Sequence, residues 1–399
     1  MGVLKELTKE YFGEKVRKED EIDIFGLDVK IVSFKDNNGN FHRRGYKPKD
    51  LDNLKDLLER MVEVRGDEGD FNDIDTSEIE DMSFLFEDKK TFNGDISGWD
   101  VSNVKNMKCM FNNATSFNQP IGKWDVSSVE NISFMFRKAT SFNQPIGEWK
   151  FPKVTDMSFM FRSATSFNQP IGDWEFPNVT NMQCLFKGAK AFNQKIGNWE
   201  FPAVKNMYGM FKSATSFNQP IGNWKFPNVE DMENMFEDAT SFNQPIGDWK
   251  FPNVEKMDFM FCNATSFNQP IGDWEFPAVE SMSNMFNDAT SFNQDISKWK
   301  FPNVENMSGM FFGAESFNQP IGDWEFPAVI NMKGMFNKAT SFNQPIGDWE
   351  FPNVEDMSGM FKGATSFNQD LSSWDLTDID KNDIFKDCPI KDEYKPKME

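Results

Sequence analysis

The chain of 399 residues holds one histidine, His42, only four cysteines and four tyrosines, and has fewer basic than acidic side chains. A lone histidine disfavours most metal sites and every mechanism that needs a pair of imidazoles. The basic shortfall, 42 Lys and Arg against 63 Asp and Glu, leaves a net charge of −21. Nucleic acid and anionic membranes both require a basic face, so neither is expected as a partner. No stretch approaches 18 consecutive apolar residues, and membrane insertion is not expected. Charges begin at Lys5 in MGVLKELTKEYFGEK, which has no apolar core and does not read as a signal peptide. No P-loop, nucleophile elbow or dinucleotide fingerprint occurs, so no enzyme activity, catalytic residue, cofactor or metal site is expected.

What the chain does have is phenylalanine, 44 residues, together with 12 Trp and 24 Met. These abundances come from one repeat. Phe-Asn recurs every 25 residues from Phe92 to Phe367 without an insertion, giving twelve copies. With that Phe as position 1, Trp occupies position 8 in every copy, Trp99 to Trp374. Phe fills position 20 from Phe86 to Phe361, and 21 of the methionines fall on positions 16 and 19. The length allows two or three ordinary domains or one long array, and a strict period selects the array.

Within a coil, Val354, Met357, Phe361 and Ala364 (positions 13, 16, 20 and 23) have helical spacing. Pro at position 11 and acids or Asn at 14 and 15 suggest a helix start, and Gly, Asn, Asp or Ser at 22 suggests a left-handed cap. A short helix over positions 12–22 is therefore expected. Trp349, Glu350 and Phe351 alternate as a strand buried on one face does, so a short parallel strand region is expected beside it. Pro at position 4 restricts strand pairing to positions 24–3, 5–10 or both. Asn at position 2 in all twelve copies predicts an amide ladder bonding the turn backbone of the next coil.

The organisation expected is an α+β cap over residues 1–66, a solenoid over 67–380 with an incomplete first coil, and a closing tail over 381–399. In the cap, the turn signal DNNG predicts a hairpin, and Leu51, Leu54, Leu58 and Met61 mark an amphipathic helix. His42 is expected at the surface of that hairpin. Residues 1–66 carry 14 basic and 14 acidic side chains and 381–399 carry 5 of each, so the whole −21 belongs to the repeats. The cysteines, Cys109, Cys184, Cys262 and Cys388, are scattered and expected to be free thiols.

The units GWDVSNVKNMKCMFNNATSFNQPIGKWDVSSVENISFMF and KWKFPNVENMSGMFFGAESFNQPIGDW resemble the BspA-like repeat family, over about residues 67–380. The resemblance implies a leucine-rich-repeat-like solenoid and, for the function, bacterial surface display, adhesion and protein binding. It implies no activity and no defined binding residues. Many copies use Phe-Pro where the family commonly has Val-Ser, and the chain carries no export signal of the family's kind. By sequence alone the chain reads as cytoplasmic; by resemblance it reads as a surface protein.

Copies of one scaffold can be compared within the chain. Invariant positions mark core and turns, whereas variable ones mark what the scaffold leaves free. Positions 7 and 9, on either side of the Trp, change between acid, amide and Lys: Glu148 and Lys150, Asp173 and Glu175, Asn198 and Glu200, Asn223 and Lys225, Asp248 and Lys250, Lys298 and Lys300. These twelve residues form the candidate contact face for a protein partner, with drift on a solvated surface as the alternative. Two functions are expected of such an array: a protein-binding or adhesion solenoid, monomeric and acidic, or a scaffold that assembles end to end through its neutral caps.

Overall fold

The computed structural model describes residues 21–24 and 27–397, which divide into two units, Met1–Glu175 and Phe176–Glu399. The first begins with an antiparallel sheet in the order β1 (Glu21–Ile24), β2 (Leu27–Lys35), β3 (Phe41–Lys47). The part of the cap before residue 21 lies outside the described residues. The DNNG signal is the β2–β3 turn, with Gly39 at φ 84°. Asp36 organises it, accepting from Asn40 N at 2.7 Å and facing His42 Nε2 at 2.9 Å. His42 is therefore not a free surface residue: it is half-buried and stacks on Phe34, ring centroids 5.1 Å apart.

Helix α1 (Leu51–Arg65) starts at Asp50, whose carboxylate accepts from Asn53 N at 2.8 Å, and stops at Gly66, φ 79°. Its buried face is Leu54, Leu57, Leu58 and Met61. Tyr46 of β3 bridges Ile74 in parallel, and Tyr46 N donates to Asp73 O at 2.8 Å, so the sheet runs directly into the first coil. The incomplete coil buries Phe71, Ile74, Ile79, Met82, Leu85 and Phe86 at the apolar positions of the full repeat.

The helix expected at positions 12–22 does not form in any coil of either unit. In its place a ribbon of tight turns alternates local bonds with bonds to the next coil. In the first unit Met110 N, Asn112 N and Ala114 N donate three residues back, to Met107, Cys109 and Phe111. Between them Met107 N, Cys109 N, Phe111 N and Asn113 N donate to Asn131 O, Ser133 O, Met135 O and Arg137 O at 2.7–2.9 Å. The second unit repeats the pattern, for example from Gly309 N to Lys333 O at 2.8 Å and from Gly313 N to Asn337 O at 2.7 Å. Each such coil holds positions 18 and 22 at φ between 52° and 72°. Left-handed residues at these two places are incompatible with a right-handed helix. Turns of four residues bring positions 16, 19, 20 and 23 inward with the same three-to-four spacing as a helix, which is why the pattern reads as one.

The strand expected around positions 8–10 is absent too, and among the described residues coil pairing is reduced to isolated parallel bridges, chiefly at position 15 (Asn106↔Asn131, Asn306↔Asn331). Trp124 N donates to Ile121 O at 3.1 Å and Val129 N to Val126 O at 3.0 Å, so turns flank the Trp on both sides. The coil-to-coil bond on this side comes from the indole. Trp Nε1 donates to the Ile carbonyl at position 5 of the preceding coil at 2.9–3.4 Å in ten copies, and Trp99 Nε1 donates to Phe71 O of the incomplete coil at 3.0 Å. Position 6 is Gly in nine of the twelve copies, where the next coil crosses closely: a Cβ on Gly222 would lie 2.6 Å from Pro245 O.

The core consists of aromatic columns. Phe at position 20 stacks on its counterpart at 5.3–5.6 Å in the first unit and 5.6–5.8 Å in the second. Beside it run the position-1 column and, in the second unit, a Trp column at 6.3–6.5 Å. The predicted amide ladder is present. Asn118 N donates to Asn93 Oδ1 at 2.9 Å, and Asn293 N to Asn268 Oδ1 at 3.0 Å.

The C-terminal stretch makes one further rung, shifted by one residue: Asp356 bridges Asp380, and Phe385 stacks on Phe361 at 5.8 Å. The chain then turns back across the last full coil. Lys391 N donates to Asn368 Oδ1 at 3.0 Å and Leu371 N to Tyr394 O at 2.8 Å.

Candidate functional site

The residues flanking the Trp are placed by the same rule in every coil. The indole is pinned inward by its bond to the Ile carbonyl, so side chains one residue before and after it point to solvent. All twelve expected contact residues are exposed. Glu148, Lys150, Asp173 and Glu175 belong to the first unit and the other eight to the second.

In the second unit the structure brings five of the eight together. Asn198, Glu200, Asn223, Lys225 and Asp248 line an open groove of about 840 Å³. Gly197 and Gly222, the edges of Trp199 and Trp224, and Pro202 and Pro227 complete its wall. Lys250, Lys298 and Lys300 are not part of that lining. Lys250 Nζ reaches Asp273 O at 3.5 Å, and Lys298 Nζ pairs with Asp273 Oδ1 at 2.9 Å across one coil step. The hydrogen bond and charge of Asp273 hold the Lys298 ammonium above its usual range. Both partners are well exposed, so the pair contributes little to stability.

The groove offers an ammonium, two carboxylates and two amides on a rigid wall with apolar edges. It has no nucleophile beside a base and none of the singular carboxylate environments that tune an acid–base pair. Its exposed groups are of mixed charge and polarity.

The opposite ribbon of turns carries functional-looking residues that the sequence reading did not assemble. Positions 18 and 22 are left-handed, and positions 17 and 21 beside them vary most in chemistry. In the first unit Phe134 and Phe159, at φ 60° and 59°, stack at 4.5 Å. At position 22 the signal is legible in the sequence, where the same residues also suit a helix cap. At position 18, Gly209, Gly309, Gly334 and Gly359 with Asn234 and Asn284 carry the same signature.

The family described as "Mycoplasma protein of unknown function, DUF285" matches residues 53–174, 160–269, 220–314, 242–338 and 295–394. The chain belongs to that family. Its overlapping matches make this a tandem-repeat protein, in agreement with the 25-residue coils. No curated protein matches the chain. Among solved structures it is similar to the TLR13–ssRNA13 complex at 10% identity and a TM-score of 0.21, over 81% of this chain and 52% of that one. The chain thus spans about half the length of that structure's chain, and a likeness at this level carries no argument about fold or ligand. No helix among the described residues is long and apolar enough to cross a membrane.

Proposed function

We propose that this is a non-enzymatic binding array of the leucine-rich-repeat type, which holds a protein partner on the face flanking the Trp column. The observation that carries the reading is the groove at Asn198, Glu200, Asn223, Lys225 and Asp248. There the positions the scaffold leaves free converge on one wall, while every position behind them is repeated from coil to coil. A rigid backbone with variable, exposed, mixed-charge side chains contributes specificity and steering more than raw affinity. The BspA-like resemblance supports adhesion at a bacterial surface as the setting. No cofactor enters this reading.

The test is affinity capture from surface and cytosolic lysates with the full chain as bait, repeated with Lys225→Glu, Lys250→Glu and Lys300→Glu combined. A partner of this face is lost from the variant. A partner retained equally by both baits does not use this face, and the reading fails.

End-to-end assembly has less support. The backbone at one end of the coils is bonded by β3 through Tyr46, and at the other by Lys391 and Tyr394. A stack of chains would therefore have to associate through the caps themselves and could not continue the coil-to-coil bonds. Light scattering against concentration separates the two readings, with reversible growth favouring assembly.

A further inference from the structure

We propose that the turn ribbon of the first unit carries a second docking surface, centred on Phe134 and Phe159, for an acidic peptide segment bearing aromatic side chains. It lies on a different part of the coil from the face beside the Trp column and does not depend on that reading.

Three observations meet here. The first is the aromatic pair, whose rings stack at 4.5 Å with an interplanar angle of 15° and remain half-buried rather than joining the core. Both residues occupy left-handed positions, which this scaffold fills with Gly at four places and with Phe at four, Phe84 and Phe259 being the other two. Only Phe134 and Phe159 fall in adjacent coils and stack, and this outer pair, which takes no part in the interior columns, is the feature that points to a use outside folding.

The second is the cations. The Arg137 guanidinium lies over the Phe134 ring at 5.9 Å and that of Arg162 over Phe159 at 5.6 Å. Lys138 follows Arg137 and is exposed, and Lys108 lies one coil earlier, with both Lys108 and Arg137 close enough to Cys109 to act on its thiol. Among the described residues no carboxylate comes within ion-pair distance of Lys108, Arg137, Lys138 or Arg162, whereas Lys89, Lys105 and Lys47 of the same unit are all paired. Glu87 and Asp88, on the same ribbon, accept instead from Asn112 and Asn113 at 2.7 and 2.6 Å.

The third is Arg137 Nε, which is shielded from solvent and has no hydrogen-bond partner. Four unpaired cations flanking two stacked rings, in a chain of net charge −21, are complementary to carboxylates interspersed with rings. The ring faces are taken by each other and by the guanidinium groups, so the exposed ring edges receive the aromatic side chains of the peptide and the outer guanidinium nitrogens receive its carboxylates. A phosphodiester chain would also meet rings and cations, but the acidic balance of the chain opposes one over any longer track.

The test uses the full chain and a fluorescein-labelled peptide alternating Glu and Phe, with its Gln-for-Glu counterpart and oligothymidylate as comparisons, read by anisotropy at low and high salt. The acidic peptide is expected to bind, to weaken with salt, and to lose about tenfold or more in affinity on Arg137→Glu with Arg162→Glu. Phe134→Gly with Phe159→Gly is expected to cause a similar loss with the unfolding midpoint maintained or raised, because the scaffold already accepts Gly there. Charge reversal at Lys225, Lys250 and Lys300 should leave this binding unchanged. Equal affinity for the Gln peptide, indifference to the Arg and Phe variants, or no binding at all would overturn the proposal. Tighter binding of oligothymidylate would replace it with a nucleic-acid platform. Self-association of the chain abolished by the same variants would replace it with a contact between copies.

Discussion

The indole nitrogen of Trp274 donates to the carbonyl oxygen of Ile246 at 3.0 Å, from one coil to the one before it. On this side of the coil the bond takes the place of a strand ladder. The ring of Trp274 also stacks between Trp249 and Trp299 at 6.4 and 6.3 Å and receives the edge of Phe251 at 4.8 Å. Trp274→Phe removes the donor, strands a buried carbonyl and leaves a gap in the column. A loss of about 2 kcal/mol is expected, read as a lower urea midpoint. An unchanged midpoint would show that the indole bond is incidental.

The two left-handed glycines Gly309 and Gly334 separate backbone strain from crowding. At Gly334, φ 61°, a Cβ would meet nothing closer than 3.8 Å, so Gly334→Ala should cost about 1 kcal/mol from conformation alone. At Gly309, also φ 61°, the Cβ would lie 2.3 Å from Asn284 Oδ1, which accepts from Asn287 Nδ2 at 2.9 Å. Gly309→Ala must displace that amide and should cost about 2 kcal/mol. Equal costs at the two sites would mean that the Asn284 amide moves freely.

Burial pushes the Cys262 thiol up to about 12 and the Cys109 thiol up to about 11, with nearby acids adding to the effect. Neither carries appreciable thiolate at pH 8, and both are buried. Ellman's reagent should therefore leave both intact in the folded chain and titrate them on unfolding. Rapid labelling of either in the native state would contradict their burial.

Asp36 connects the cap to acid sensitivity. Its burial alone would raise the carboxyl, but hydrogen bonds from His42 and Asn40 outweigh that and hold it below its usual 3.8. A carboxyl lowered on folding stabilises the protein at pH values above 3.8, and that contribution disappears as pH falls through the folded value. Wild type should be the more stable to heat near pH 5, and its advantage over Asp36→Asn should shrink as the pH falls below 3.8 and through the folded value of the Asp36 carboxyl. A gap that persists in acid would mean that the Asp36 charge is not the source.

Much of this fold is legible in the sequence, and the failures have one physical cause. The period, the buried positions, the Asn118–Asn93 type of rung, the amphipathic helix marked by Leu54, Leu58 and Met61 and the hairpin at Gly39 all follow from side-chain chemistry. The helix and strand assignments fail because backbone geometry was inferred from apolar spacing. Met307, Met310, Phe311 and Ala314 point inward equally well from a helix and from successive four-residue turns. Only φ at Gly309 and Gly313 distinguishes the two, and glycine at both places was the available sign. For the candidate site, exposure of positions 7 and 9 could be read from their variation beside an invariant Trp. Which of them share a groove could not, because that depends on how Gly197 and Gly222 let the next coil approach.

The central claim is that a protein partner is held against the groove at Lys225. Lysine acetylation footprinting of the full chain, with and without a captured partner, tests it most directly. The account predicts strong protection of Lys225, which lines the groove. It predicts unchanged labelling of Lys105, which is paired with Glu80 at 2.7 Å on the position-14 edge. Labelling of Lys225 at the free-chain rate in a saturated complex would contradict it.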